Sequence, residues 1–242
     1  MTVTLFYSRN PNPRLAVAVA RHLNSGVVFE FASPFSPAQS AKFRALNPSL
    51  RIPILLENGH SLWEADAIAC RLSMRAGSSF WRMDDEMPEM IRWISWGKAN
   101  FVQACDVVHF ERGTKQRYGF GPIDPAVLAQ GLADFHEHGR QLDAHLVGRD
   151  YLLDSGLSYA DFRMASYLAF NDVAGLPMSD YPQIDAWYRR IAALPAWDHP
   201  FAGLDTPQLP PISGKGWMTL QKLPLHLVLW RNPRAVGGIS FL

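Results

Sequence analysis

Within its first 32 residues the chain switches period twice. VTLFYS at 3–8 reads as a short buried strand, a turn rich in Asn and Pro follows, and Arg14 to Leu23 carry helical apolar spacing. VVFEFA at 27–32 is β-branched and aromatic, which reads as a second strand. Two strands with a helix between them pair in parallel, because a tight hairpin reverses direction and a crossover does not. The opening is therefore a βαβ unit, and everything after it must build on that sheet.

The next segment, SPAQSAKFRALNP, predicts one or two helical turns stopped at Asn47-Pro48. Ile54 to Glu57 and Ser61 to Trp63 then fit two strands joined across Asn58-Gly59, the dipeptide best suited to the positive φ angles of a tight hairpin. A helix starts at about Glu64. The order βαβ, helix, ββα thus occupies residues 1–76. After Gly77-Ser78-Ser79, Met87, Ile91, Ile94, Phe101, Cys105 and Val108 fall three or four apart or in multiples of that turn, predicting one long helix over 84–111. Further helices are expected over 125–146, 158–170 and 182–194, making residues 84–204 a helical bundle. The fold class is α/β followed by all-α. After Asp205 the texture changes: the Pro-containing tail has no further acidic residue and is expected to lie extended across its own domain or a partner subunit, ordered around Trp217 and Leu223 to Trp230.

At 242 residues and 48% hydrophobic content the chain can bury two compact cores. Its 23 basic and 22 acidic residues leave a net charge of +1, without the basic surplus that nucleic-acid binding demands, so no nucleic-acid partner is expected. MTVTLFYSRN lacks the charged start and following apolar stretch that mark a secretory signal, and no apolar run approaches the roughly 20 residues of a membrane span. A cytoplasmic protein with no membrane partner is expected. Cys70 and Cys105 give no disulfide framework and the eight histidines are scattered, so no metal is expected. There is no P-loop, no Gly-x-Ser-x-Gly and no Gly-x-Gly-x-x-Gly after a strand, which removes the common NTPase, hydrolase and dinucleotide readings.

Four local motifs remain. Pro53 opens a strand after Ile52, as an ordinary trans proline or as a cis bond. Trp63-Glu64-Ala65-Asp66 puts two carboxylates at a helix start, either as helix-dipole partners or, with a ligand present, as acceptors for its amine beside N–H groups that take its carboxylate. Ser158-Tyr159-Ala160-Asp161 matches a capping box with structural work to do. Trp93 and Trp96, three apart, suit core or interface packing.

Three segments in order resemble the glutathione S-transferase superfamily: LFYSRNPNPRLAVAVA its first strand and helix, LNPSLRIPILLENGHSLWEADAIACRL its Asn-Pro, cis-Pro and Glu-Ser-x-Ala-Ile region, and GRDYLLDSGLSYADF its helical-domain capping box. The resemblance covers about residues 3–200. It implies a thioredoxin-like N-terminal domain (1–76), a helical domain (84–204), a homodimer, and glutathione as co-substrate. It implies that Pro53 is cis, that the Ile52 backbone pairs with the cysteinyl main chain, that Glu64 and Ala65 receive the γ-glutamyl end, and that Arg51 faces the glycyl carboxylate. A small hydrophobic electrophile would sit between the domains, with Phe101, His109 and Arg112 as candidates to line its pocket.

The sequence departs from that pattern twice. Ala65 stands where relatives carry Ser or Thr, removing a hydroxyl hydrogen bond worth roughly 0.5–1.5 kcal/mol. At the thiol-activating turn the Cys-like position reads Asn12 and the Ser-like position Pro11, which leaves no sulfur nucleophile for redox chemistry. Asn12 is the first candidate to hold the glutathione thiolate, with Asn10, Tyr7 and Ser8 as alternatives. The resemblance implies a glutathione transferase; the competing reading is a non-catalytic binding or assembly module of the same fold.

Overall fold

The computed structural model describes residues 2–212. The expected order appears at the N-terminus: β1 (Val3–Tyr7), α1 (Pro11–His22), β2 (Val28–Phe31), α2 (Ser40–Leu46), β3 (Ile54–Glu57), β4 (His60–Trp63) and α3 (Ala65–Ala76). The sheet order is β2-β1-β3-β4. β1 pairs parallel with β2, Leu5 facing Phe29, and antiparallel with β3, Leu5 facing Leu55. Asn58 and Gly59 both take positive φ, as the hairpin requires.

Alternation along β1 divides the sheet between two cores. Val3, Leu5 and Tyr7 join the core shared with α1 and α3, while Phe6 joins Phe43 of α2, Leu50 and Ile54 on the other side. The result is the three-layer α/β/α arrangement of a thioredoxin-like domain.

The second half contains α4 (Met87–Ala99), α5 (Phe101–His109), α6 (Lys115–Tyr118), α7 (Pro125–His145), α8 (Tyr159–Ala165), α9 (Asn171–Ala174), α10 (Pro182–Ala192) and α11 (Pro195–Asp198). The single long helix expected over 84–111 is broken at Asn100, whose φ and ψ are −129° and −95°. Its side-chain Nδ2 donates to the Trp96 carbonyl at 2.8 Å, taking the acceptor that a continuous helix would offer to the Asn100 backbone N–H. A π-helical segment, Phe110–Thr114, joins α5 to α6. The core around Trp187, Trp197, Phe135, Phe101 and Phe162 is continuous with the α1/α3 side of the sheet.

The Ser158–Asp161 capping box forms as expected. Asp161 is fully buried and also accepts from the Leu152 N–H and the Trp187 indole, both at 2.9 Å. After α11 the chain turns back to the first domain, where the Thr206 hydroxyl meets the Tyr7 hydroxyl at 2.7 Å. The expected packing around Trp217 and 223–230 lies outside the described residues.

Candidate functional site

α1 starts with an unusual donor inventory. An α-helix leaves four N–H groups without intrahelical partners. Here the N-cap Asn10 N–H reaches the Ser8 Oγ at 3.4 Å, and Pro11 and Pro13 have no N–H at all. The remaining backbone donor at this positive helix end belongs to Asn12. The Asn12 side chain is exposed, and its Oδ1 accepts from Arg163 Nη1 at 2.9 Å.

The other sequence candidates in this turn sit differently. Asn10 Nδ2 donates to Ser8 Oγ at 3.2 Å and Asn10 Oδ1 faces the Tyr118 hydroxyl at 3.5 Å. Burial raises the Tyr118 pKa, so that hydroxyl stays a donor. Ser8 is 7% exposed and already accepts from Asn10. Tyr7 is 2% exposed, its ring packed against Phe29, Phe31 and Phe201 and its hydroxyl engaged by Thr206. The structure therefore gives Tyr7 a packing role, not a place in the turn.

The loop before β3 is held from inside. The Asn47 side chain, 2% exposed, donates to the Arg51 carbonyl at 2.9 Å and accepts from the Ser49 N–H and hydroxyl. The Ile52–Pro53 bond that follows is cis. Arg51 is exposed, Ile52 half-buried and Pro53 buried.

The β4–α3 junction supplies the third side. Glu64 has φ 73° and ψ 126°, a conformation that costs a non-glycine residue on the order of 1–3 kcal/mol and persists where the surroundings enforce it. Its side chain is exposed and does not cap α3, so the first-turn N–H groups have no side-chain cap. Ala65 is 2% exposed, its methyl in the core.

Asp66, the other carboxylate of this motif, is committed elsewhere. Its Oδ1 accepts from Arg163 Nε at 2.7 Å and from the Tyr159 hydroxyl at 2.5 Å, and its Oδ2 from Lys98 at 2.8 Å. Burial alone would raise its pKa, but Arg163, Lys98 and Tyr159 together hold it below the ordinary carboxylate value. Of the two carboxylates, Glu64 is the one open to a ligand.

The sequence expected Phe101, His109 and Arg112 to line a pocket, and here the structure corrects it. Phe101 and His109 are 0% and 3% exposed, and Arg112 donates to the Ala174 and Gly175 carbonyls. Sequence reading missed Arg163, Tyr118 and Thr206, which reach the first domain from more than 100 residues away and carry no local pattern. Among the described residues no cluster of three or more His, Cys, Asp or Glu forms a metal site, and no helix is long and apolar enough to cross a membrane.

Comparison with known proteins gives two family matches: the glutathione S-transferase N-terminal domain over residues 1–70 and the glutathione S-transferase C-terminal domain over 125–190. FtsZ-localized protein A of Caulobacter vibrioides is 27% identical over 165 residues, covering 64% of this chain and 72% of that protein. Among solved structures, FzlA from C. crescentus superposes with a TM-score of 0.73 at 24% identity, covering 88% of this chain and 97% of the other. The theta class glutathione S-transferase from Xanthomonas axonopodis pv. citri, with glutathione bound, gives 0.69 at 23% identity, covering 85% and 98%.

Proposed function

The chain belongs to the glutathione S-transferase superfamily, and from that premise we propose that it binds glutathione at the junction of α1, the cis-Pro loop and α3 and holds the sulfur as a thiolate for attack on a small hydrophobic electrophile. The observation that carries this reading is the donor inventory of α1. Two prolines, and an Asn10 whose N–H is taken by the Ser8 hydroxyl, leave Asn12 to supply both the backbone N–H and the side-chain amide at the helix end.

A thiol with an ordinary pKa near 8.5 is mostly protonated at neutral pH, and the thiolate is the nucleophile. Hydrogen bonds and positive charge that favour the charged form lower that pKa. Asn12 donates without acting as a base, so the thiol proton leaves to solvent. Glu64 suits the γ-glutamyl ammonium, the Ala65 N–H its carboxylate, the Ile52 backbone the cysteinyl main chain and Arg51 the glycyl carboxylate. The electrophile enters between the domains. The reading extends to a metal-independent homodimer working in the cytoplasm.

A second reading, a binding or assembly module without catalysis, is favoured by Ala65, which lacks the hydroxyl for the γ-glutamyl end, and by the similarity to a relative named for localisation with FtsZ. Calorimetry with glutathione, followed by thioether formation with a chlorodinitrobenzene electrophile, separates the two. Binding with turnover is the expected result. Absence of turnover in a folded protein favours the assembly module.

A further inference from the structure

Arg163 lies on α8 in the helical domain, 3% exposed, yet it touches both sides of the junction described above. Its Nε and Nη2 grip Asp66 Oδ1 at 2.7 and 2.6 Å, and its Nη1 reaches Asn12 Oδ1 at 2.9 Å. We propose that Arg163 is the positioning residue of this site, fixing the Asn12 amide so that its two Nδ2 hydrogens face the ligand sulfur. The inference rests on the reading of Asn12 as the thiolate donor.

The chemistry of a guanidinium decides the orientation. Arginine carries five N–H donors and no acceptor, so the Asn12 atom it meets is the carbonyl oxygen, not the nitrogen. The side-chain amide is planar, so fixing Oδ1 on Arg163 turns Nδ2 away from it. Among the described residues no acceptor takes the Nδ2 hydrogens, and the side chain is exposed.

The guanidinium is itself held. Asp66 is anchored by the Tyr159 hydroxyl at 2.5 Å and by Lys98 at 2.8 Å, and its Oδ1 holds the Nε–Nη2 edge of Arg163, leaving Nη1 for Asn12. Arg163, Lys98 and Asp66 sum to a single positive charge beside the α1 terminus, which also favours a thiolate. A lysine in place of Arg163 keeps the charge but, as a single ammonium, cannot hold the Asp66 carboxylate and the Asn12 oxygen in one plane.

The test uses the full chain, glutathione as probe, and the variants Arg163→Lys, Asn12→Ala and their combination. Ultraviolet titration of the bound thiolate should show a pKa raised by roughly 0.5–1 unit in Arg163→Lys, and no further rise when Arg163→Lys is added to Asn12→Ala. An unshifted pKa in the single variant, or an equal shift in both backgrounds, overturns the proposal. Should Arg163→Lys fail to fold by circular dichroism, Asn12→Asp serves instead. It leaves Arg163 in place and exchanges the Nδ2 donors for a charged oxygen, so the thiol pKa should rise further than in Asn12→Ala; no rise overturns Asn12 as the donor and with it the proposal, while the role of Arg163 is then decided by the Asn12 amide resonances.

Heteronuclear NMR of the Asn12 side-chain amide in the unliganded protein is independent of glutathione. The pair should be dispersed in the wild type and should move to solvent-exposed amide positions in Arg163→Lys, or in Asp66→Asn where the lysine variant does not fold. An unmoved pair overturns the orientation claim. A wild type that binds no glutathione by calorimetry overturns the functional reading, while the amide pair still decides the role of Arg163.

Discussion

Asn12 has a proline on each side, an arginine on its oxygen and solvent at its nitrogen, so its removal affects one interaction more than the fold. Asn12→Ala should raise the bound thiol's pKa and slow conjugation roughly 10- to 1000-fold, as expected when an anion-stabilising donor is lost, with little change in glutathione affinity. Asn10→Ala should do less, because the Asn10 amide is already spent on Ser8 and Tyr118. Pre-steady-state rates and thiolate absorbance on both variants check this. Ala65 makes the opposite kind of prediction. Its methyl is in the core, so the hydroxyl of Ala65→Ser needs a partner that only the ligand carboxylate supplies. The unliganded variant should melt lower, while glutathione binds tighter by about 0.5–1.5 kcal/mol in calorimetry. At this scale the sequence shows the residues whose chemistry is local, such as Pro53 after Ile52 and Glu64-Ala65 at a helix start. It hides Arg163 and Thr206, whose importance comes from meeting Asn12 and Tyr7 across 151 and 199 residues.

Element by element, legibility follows how local the deciding interaction is. β3 and its Asn58-Gly59 turn were readable because strand pattern and turn chemistry agree. The break at Asn100 was not, since the apolar spacing runs on through it and only a side chain bonding four residues back interrupts the ladder. The capping box lies between these cases. Its Ser-x-x-Asp pattern was visible, but its reach was not: Asp161 also takes the Leu152 N–H and the Trp187 indole, joining the loop before α8 and the core of α10 to one carboxylate. Burial pushes the Asp161 pKa up while those donors pull it down, with burial prevailing. Asp161→Ala leaves several buried donors without an acceptor and should cost about 3 kcal/mol or more, lowering the melting temperature by roughly 6–12 °C. Asp161→Asn keeps an acceptor and should cost less. Thermal unfolding of the two variants side by side distinguishes the lost hydrogen bonds from lost volume.

Across the whole molecule the two domains are fastened at both ends of α1, by the Arg163–Asp66 pair near its start and by Arg21 donating to the Pro200 and Ala202 carbonyls near its end. Global stability therefore depends on charges buried in the helical half as well as on the sheet. Two of them oppose each other over the acid range. Burial lifts the Asp106 carboxyl on α5 to about 7 despite a hydrogen bond from Tyr167. Burial, with Arg117 adding to it, lowers His109 one turn later to about 4. A carboxyl raised by folding stays protonated in the native state where the unfolded chain has lost its proton, so between about pH 4 and 7 this group makes stability rise as pH falls. A histidine lowered by folding works the other way: its contribution is complete above about pH 6.5 and is lost as pH falls toward 4. The wild type should thus be nearly flat across this window as far as these two groups go. Asp106→Asn removes the first slope and leaves the second. It should stabilise the protein at about pH 8 by roughly 1–2 kcal/mol, the full linkage of about 4 being reduced by the partial solvent access of the carboxyl. By about pH 4 the gain should be gone, so that the variant loses stability through a range where the wild type holds it. Urea unfolding at several values between pH 4 and 8 measures this directly, and a gain of equal size at both ends would show that ionisation of Asp106 is not its cause.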